Sequence, residues 1–394
     1  MRIAILTSGI LPVPAVQGGA VETRVDYLLD YNNLHLLHDI TAYSVYHPAV
    51  EGHLALQSNV NHYVYIDTRS LMARIRKRIH GLTHKDTYYH YSIDYFFQQA
   101  LNMLKKQQYD CIIAANRPGY GLRLRELTNA KIVYLLGNDF LNNKVPHSRT
   151  LYQAASLIVA NSHFIKHRVQ TCNPTDTKCV TVYNGIDLIP FTIPPTITRT
   201  SLGYDKDDFI LAFSGRLTPE KGIAELIEAM KLVKDEPRIK LLVMGSSFYE
   251  NGSNDNPFIN KLKKSAKEIS DRILFTGYVK HAMMADYLRL ADVAVIPSVW
   301  EEPFGLTVVE GMAAGLPIIT TNRGGIPELV TKDNAIITEV NEAFTKQLAQ
   351  AIRHLYLHPK ACRSMGEVSL QLSKRFSKDI YAKNFFQVLQ CITI

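Results

Sequence analysis

Residues 209–233 read FILAFSGRLTPEKGIAELIEAMKLV, an apolar run followed by a short turn and a segment of helical periodicity. The run from Phe209 to Phe213 is typical of a buried parallel strand. The side chains that share one face of the predicted helix are Ile223, Leu226, Ile227 and Met230. A strand that leads through a tight turn into a helix is the repeating unit of a doubly wound α/β domain.

The same alternation of strand and helix patterns extends over both halves of the chain. In the first half it predicts strands at residues 3–6, 40–45, 63–66, 111–114, 132–136, 157–160 and 180–183. In the second half it predicts strands at residues 209–213, 240–244, 273–275, 293–296 and 317–320. The fold class is therefore α/β, with two Rossmann-like doubly wound domains that we expect to face each other across a ligand-binding cleft.

Residues 188–201 separate the two halves. They contain three prolines and no helical period, which favours an extended linker. We therefore place the first domain at residues 1–188 and the second at residues 189–375.

The composition excludes several kinds of protein. With 394 residues, 46% of them hydrophobic and 20% charged, the chain is typical of a globular protein of more than one domain. Lys and Arg number 44 against 36 Asp and Glu, and this net charge of +8 favours an anionic ligand or surface. The five cysteines lack C-x-x-C spacing, which argues against a zinc site or a disulfide framework. Since no signal-peptide core and no run of eighteen apolar residues occur, we expect a cytoplasmic protein.

A second strand–turn–helix unit follows the predicted strand at 293–296. Residues 301–317 read EEPFGLTVVEGMAAGLP, with Gly305 in the turn. We expect the backbone N–H groups of Leu306 and Thr307 to be free at the helix start, where the helix dipole favours a phosphate or another anion.

Two carboxylates flank this turn. Glu302 precedes it and Glu310 lies one helical turn beyond it. Carboxylates in these positions can accept the hydrogen bonds that vicinal sugar hydroxyls donate. The alternative is that Thr307 and Glu310 form a capping box and serve only the helix end.

Two basic residues flank the turn that contains Gly215. Arg216 and Lys221 stand at the start of the helix predicted from Ile223. Two fixed cations can neutralise a diphosphate through charge-assisted hydrogen bonds of about 1.5–3 kcal/mol each. The alternative is that both side chains only project into water.

A paired glycine follows the first predicted strand. Residues 17–22 read QGGAVE, and Gly18 and Gly19 allow a backbone to approach a ligand closely, although such a pair also occurs in ordinary turns. The pattern is not G-x-G-x-x-G, which argues against a dinucleotide cofactor.

In this order, the three segments resemble those of the retaining nucleotide-sugar glycosyltransferases of family 4, whose two-domain fold is called GT-B. The resemblance covers nearly the whole chain. Its specific matches are the Glu302 and Glu310 pair in residues 302–317, the segment 215–222 and the sequence NGID at 184–187. Weaker matches are NSHF at 161–164 and GGIPE at 324–328.

The resemblance implies domain roles: 1–188 binds the acceptor, 189–375 binds the nucleotide-sugar, and 376–394 forms a helix that packs back on the first domain. It also implies residue roles. In the family, the residues that match Arg216 and Lys221 hold the donor diphosphate. The residue that matches Glu302 contacts the donor sugar, and the residue that matches Glu310 binds the ribose hydroxyls. Further donor contacts are implied at Gly18, Gly19, Asn138, Gly215, Phe304, Gly305, Leu306 and Thr307.

The chain departs from the family after the strand predicted at 132–136. Many members have a histidine near the donor sugar at the position of Asn138, and an amide cannot shuttle a proton. Either Asn138 only positions the sugar, or Asp139 takes over part of the chemistry, or both residues merely form a turn. With Asp139 included, the predicted catalytic residues are Arg216, Lys221, Glu302 and Asp139.

The resemblance also implies a mechanism. Retention in this family is usually explained by a front-face displacement, in which the leaving diphosphate takes the acceptor proton and no protein base is needed. We expect no cofactor besides the nucleotide-sugar and no essential metal, since the D-x-D string at 205–207 is typical of a solvated turn. Two alternatives share the fold: a nucleotide-sugar 2-epimerase, and an inactive donor-binding scaffold in polysaccharide assembly.

The basic charge is concentrated at residues 69–85. Leu71, Ile75, Ile79 and Leu82 can share a helix face, with basic side chains around the rest. Such a segment either rests on an anionic membrane, bringing the enzyme to a lipid-linked saccharide acceptor, or is a solvated helix. Surface polysaccharide synthesis is the usual occupation of similar proteins, and no nucleic-acid module is evident.

Overall fold

The computed structural model describes residues 1–70, 73, 75, 91–246 and 257–392. The chain divides into two compact units, one formed by Met1–Gly185 with Asp379–Ile394 and the other by Ile186–Lys378. Most of the basic segment at 69–85 lies outside the described residues, so its predicted membrane contact has no structural counterpart here.

The described residues of the first unit form a seven-stranded parallel sheet. In chain order its strands are β1 (Arg2–Leu6), β2 (Asp39–Val45), β3 (Asn61–Ile66), β4 (Cys111–Ala115), β5 (Lys131–Leu136), β6 (Leu157–Ala160) and β7 (Cys179–Thr181). Their order in the sheet is β3-β2-β1-β4-β5-β6-β7. The helices between them are α1 (Ala20–His35), α2 (Tyr91–Leu104), α3 (Gly121–Leu127), α4 (Ser148–Ala154) and α5 (His163–Gln170).

The second unit repeats this architecture with a six-stranded sheet. Its strands are β8 (Phe209–Ser214), β9 (Ile239–Met244), β10 (Ile273–Gly277), β11 (Val293–Ile296), β12 (Ile318–Thr321) and β13 (Ala335–Thr338), in the order β10-β9-β8-β11-β12-β13. Its helices are α6 (Ile223–Leu232), α7 (Pro257–Ser265), α8 (Met284–Leu288), α9 (Leu306–Ala313), α10 (Phe344–Leu357) and α11 (Pro359–Ser373). The last helix of the chain is α12 (Lys378–Gln390).

Both faces of the first sheet are buried, as expected for a parallel sheet. Ala4 and Leu6 of β1 pack on a cluster that includes Phe96 of α2. The alternate residues Ile3 and Ile5 pack on a second cluster, which contains Val25, Leu28 and Leu29 of α1 and Tyr381, Phe385 and Phe386 of α12. The chain therefore covers this sheet with its first helix and its last one on the same face.

Strand order reverses at one place in each sheet, between β1 and β4 and between β8 and β11. Ligands of doubly wound sheets bind beyond the carboxyl ends of the strands at this point. The predicted α/β class, with two Rossmann-like units, is confirmed.

Some predicted boundaries were wrong. The strand expected at 180–183 is Cys179–Thr181, and β13 was not predicted. The segment at 188–201 is not wholly extended, since it contains short 3-10 helices at Ile189–Phe191 and Thr200–Leu202. Within the described residues, no helix combines the length and the apolar character needed to span a membrane.

Candidate functional site

The turn after β8 is shaped by two glycines on neighbouring strand ends. Gly215 donates its N–H to the carbonyl oxygen of Met244 at 3.0 Å. Gly245 has φ +154°, and a Cβ there would lie 1.9 Å from the carbonyl oxygen of Gly215. The loops after β8 and β9 therefore pack backbone against backbone, which only glycine at position 245 permits.

The start of α6 packs on the end of β11 through Gly222. This residue has φ +71° and is the N-cap of α6, and a Cβ there would lie 1.8 Å from the carbonyl oxygen of Pro297. The N–H of Val299 donates to the carbonyl oxygen of Glu220 at 3.0 Å. These contacts place Lys221 beside the loop that follows β11.

Lys221 and Glu302 meet at this position. The Lys221 Nζ lies 2.5 Å from Glu302 Oε1, and the Ser298 hydroxyl donates to the same oxygen at 2.7 Å. Glu302 is 7% exposed. The Lys221 Nζ also lies 5.5 Å from the ring centroid of Trp300, within cation–π range. Two predicted site residues are thus joined in an ion pair next to the point of strand-order reversal.

The GGIPE sequence at 324–328 holds the backbone of Glu302. Gly324 has φ +60°, and a Cβ there would lie 2.1 Å from the Glu302 carbonyl oxygen. That oxygen accepts the N–H of Gly325 at 2.7 Å, and the Glu301 carboxylate accepts the N–H of Gly324 at 2.6 Å. The motif therefore fixes the segment that carries the acidic residue.

Helix α9 begins without a side-chain cap. Gly305, with φ +109°, is its N-cap, and no described residue accepts a hydrogen bond from the N–H groups of Leu306 and Thr307. The capping-box alternative was wrong, because the helix starts at Leu306 and Thr307 is already inside it. Phe304 is buried and packs edge-on to Phe376, which anchors the turn. The helix start therefore offers two N–H donors to an anion.

Glu310, inside α9, is buried next to a histidine. Its side chain is 10% exposed, and His281 Nδ1 lies 3.8 Å from its Oε1. Burial raises the pKa of the Glu310 carboxyl, and a positive charge on His281 opposes that rise. Glu310 does not join the Lys221 and Glu302 pair.

Arg216 is oriented within its own turn. Its Nη2 lies 3.8 Å from Glu220 Oε1, and its side chain is half-exposed. Arg216 thus lies in the same turn as Lys221 but pairs with Glu220, whereas Lys221 pairs with Glu302. An exposed pair at this distance is worth at most about 1 kcal/mol, so Arg216 is easily redirected to a phosphate.

In the first unit, Gly18 and Gly19 form the entrance to α1. Their φ values are +76° and +102°, and Gly19 is the N-cap of the helix. A Cβ on Gly19 would lie 2.4 Å from Glu22 Oε2, and the Ser8 hydroxyl donates to the other carboxylate oxygen at 2.5 Å. Burial raises the pKa of Glu22. Gly19 is therefore required for a turn that folds over a buried carboxylate.

The loop after β5 is held by two asparagines. Asn116 Oδ1 accepts the N–H of Gly137 at 3.0 Å, and Asn161 Nδ2 donates to the Gly137 carbonyl oxygen at 3.2 Å. A Cβ on Gly137 would lie 2.7 Å from Nη1 of the buried Arg24. These contacts give the NSHF sequence at 161–164 a role in fixing the backbone next to Asn138.

Both carboxylate oxygens of Asp139 have partners. Arg168 Nε lies 2.7 Å from Oδ2, and Asn142 Nδ2 donates to Oδ1 at 2.9 Å. This arrangement suits a residue that fixes its loop. The catalytic role of Asp139 stays a prediction, and this geometry favours the turn alternative over it.

Asp205, Lys206 and Asp207 lie in an exposed turn, in which the N–H of Asp208 donates to the carbonyl oxygen of Asp205. Across the described ranges, no cluster of three His, Cys, Asp or Glu side chains is arranged to hold a metal ion.

Sequence reasoning missed several residues that shape these sites, namely Asn116, His281, Ser298 and Trp300. Ser298 and Trp300 carry a signal, because they lie between β11 and Glu302 in a loop already expected at the site. His281 carries none, since a single histidine in a loop has no distinguishing pattern.

The second unit thus pairs a lysine with a glutamate at the strand reversal, beside a helix start with free N–H groups. In a chain of two Rossmann-like units, this arrangement agrees with the GT-B class that the sequence resembles. Residues 196–371, which make up most of the second unit, match the family model described as glycosyl transferases group 1. This match agrees with the resemblance found in the sequence, and likeness to solved structures confirms the GT-B fold, while the assignment to family 4 stays a prediction.

Three known proteins illustrate the similarity. Spore coat protein SA of Bacillus subtilis strain 168 is 27% identical, over 99% of each chain. The lipopolysaccharide 1,2-N-acetylglucosaminetransferase of Salmonella typhimurium strain LT2 is 26% identical, over 74% of this chain and 78% of its own. The crystal structure of Anabaena HepE in complex with UDP-glucose has a TM-score of 0.73 at 19% identity, over 99% of this chain and 100% of that one, and this likeness shows the fold.

Proposed function

We propose that this protein is a glycosyltransferase that moves a sugar, with retention, from a UDP- or GDP-sugar to a saccharide or lipid-linked saccharide in the assembly of a surface polysaccharide. The observation that carries the proposal is the Lys221–Glu302 ion pair beside the free N–H groups of α9. The Salmonella relative acts on lipopolysaccharide and HepE binds UDP-glucose, which supports this donor and acceptor class.

The donor diphosphate lies at the positive features of the second unit. Lys221 and Arg216 supply charge, and the N–H groups of Leu306 and Thr307 donate hydrogen bonds along the helix dipole. Glu302 holds the sugar hydroxyls, and Glu310 holds the ribose hydroxyls. Gly18, Gly19 and Asn138 of the first unit contribute the remaining donor contacts.

Catalysis is electrostatic in this proposal. As the bond between the sugar and the diphosphate breaks, negative charge grows on the leaving oxygen, and preorganised cations and N–H groups stabilise it. The leaving diphosphate accepts the proton of the acceptor hydroxyl on the same face of the sugar, so that the configuration is retained. No metal and no protein base takes part, and the protein works at the cytoplasmic face of the membrane that carries the acceptor.

Activity is tested first by thermal shift with UDP-, GDP- and ADP-sugars, then by transfer to saccharide acceptors with and without EDTA. NMR of the product gives the anomeric configuration, which we expect to match that of the donor. A C2-inverted free sugar in an acceptor-free reaction would establish the epimerase alternative instead. Binding of a nucleotide-sugar without transfer and without epimerisation would leave the inactive donor-binding scaffold. Absence of binding by every nucleotide-sugar would overturn the proposal.

A further inference from the structure

The carboxylate of Glu310 has one charged neighbour among the described residues. No described residue donates a hydrogen bond to it, and the nearby group that affects its charge is the imidazole of His281, 3.8 Å away. Helices α8 and α11 and strands β11 and β12 also pack against α9, and none of their described residues shifts the Glu310 pKa.

The two side chains differ sharply in exposure. Glu310 is almost fully buried, whereas the His281 side chain is 66% exposed. His281 begins a short 3-10 helix, His281–Met283, that follows β10 and leads directly into α8. An exposed imidazole can gain or lose a proton without any change in packing, so it can change the electrostatics of the buried carboxylate beside it.

The charge of Glu310 decides which hydrogen bonds it forms. An ionised carboxylate only accepts, which matches the two hydroxyls of a ribose, whereas the protonated acid has a donor of its own and fewer acceptor positions. Because burial raises the pKa of Glu310, its acid form becomes populated at a higher pH than for an exposed glutamate. A positive charge on the His281 imidazole counteracts this rise, because it lies beside the carboxylate and favours its ionised form.

We propose that His281 is a positioning residue of the nucleoside subsite, whose imidazolium keeps Glu310 in the carboxylate form that accepts the ribose hydroxyls. The protein thereby selects ribonucleotides over 2′-deoxyribonucleotides, and it keeps this selectivity as the pH falls. The inference rests on the proposed function, because it takes Glu310 as the ribose ligand.

Calorimetric titration with UDP and with 2′-deoxy-UDP, from pH 5.5 to pH 8, tests this inference; if GDP is the nucleotide that binds, GDP and 2′-deoxy-GDP replace them. The ratio of the two dissociation constants cancels the titration of the diphosphate itself, which both ligands share. The variants are His281→Gln, which removes the charge, and His281→Lys, which makes it permanent. The matched control is Lys280→Gln, which removes a positive charge from the adjacent exposed residue.

At pH 5.5 we expect His281→Gln to lower the preference for the ribonucleotide about two- to fivefold, the range for an exposed partner in an ion pair. His281→Lys and Lys280→Gln retain the wild-type preference, and all four proteins agree at pH 8. An unchanged preference in His281→Gln, or an equal loss in His281→Lys, would overturn the inference. If wild-type protein binds neither UDP nor GDP, the proposed function itself fails. If it binds one of them and His281→Gln leaves the preference unchanged, only this inference fails, so the two failures are distinguishable.

Discussion

Lys221 Nζ and Glu302 Oε1 lie 2.5 Å apart, although the two residues are 81 positions apart in the chain. The pair is largely buried, with 21% of the lysine side chain and 9% of the glutamate side chain exposed. An ion pair in such surroundings is held in one geometry, and Ser298 fixes the carboxylate from a second direction. Under the proposed function, this geometry preorganises the lysine for the donor diphosphate, as electrostatic catalysis requires.

Removal of either cation lowers turnover. We expect Lys221→Ala and Arg216→Ala to reduce kcat by about 10²–10³ with the fold intact, because each removes charge from the place where the leaving group becomes negative. The measurement is steady-state kinetics with saturating donor, alongside circular dichroism. Lys234→Ala, an exposed lysine after α6, is the matched control and keeps wild-type rates. Near-normal turnover in both site variants would contradict the mechanism.

The packing of Gly222 on Pro297 predicts a loss of stability. In Gly222→Ala the new methyl group meets the Pro297 carbonyl oxygen, and alanine must also adopt φ +71°. We expect a loss of at least about 3 kcal/mol in the free energy of unfolding, measured by urea titration.

Gly203 provides the control for that substitution. It has a similar φ of +81°, but no atom lies within 4 Å of the position its Cβ would take. Gly203→Ala therefore carries only the backbone cost, about 1–2 kcal/mol. Equal losses in the two variants would show that the approach of α6 to β11 is looser than the structure indicates.

The alternation of strands and helices could be predicted from sequence because buried parallel strands are continuous apolar runs. The strand β13 could not, since it has only four residues, of which Ile336 is partly buried and Ile337 is exposed, so that it lacks the continuous burial of a strand such as β12. The positive φ of Gly305 also could not be predicted from the sequence. With Gly305 as the N-cap, the helix begins at Leu306, and the capping box considered as an alternative at Thr307 does not form.

The residues of the candidate site could be proposed from the sequence, whereas the contacts between them could not. Lys221 and Glu302 meet only because β8 and β11 are neighbours, and that adjacency follows from the reversal of strand order and not from local pattern. His281 comes near Glu310 through the loop after β10, whose course depends on the packing of α8 against α9. Contacts of this kind are set by tertiary structure, so single-residue patterns cannot identify them.

The two partners of Asp139 predict a structural role. Asp139→Asn keeps the contact to Asn142 and loses the ion pair with Arg168. The side chains of Asp139 and Arg168 are each about 30% exposed. We expect kcat within about threefold of wild type and a loss of about 0.5–1 kcal/mol in the free energy of unfolding. A fall in kcat of a hundredfold or more at full foldedness would instead establish Asp139 as catalytic. Asn138→Ala is the companion variant, and it raises KM for the donor if Asn138 positions the sugar.

Trp300 is predicted to act on the donor through Lys221. It is the only tryptophan in the 394 residues and is 37% exposed, so its fluorescence reports directly on this site, and we expect a saturable change on titration with UDP. Since a cation–π contact contributes about 0.5–1 kcal/mol, Trp300→Leu weakens binding about two- to fivefold by calorimetry, and Trp300→Phe less. In a Lys221→Ala background the same replacement of Trp300 has no further effect, because the ring has lost the cation that it positions. Additive losses in the double variant would show that the indole contacts the ligand itself.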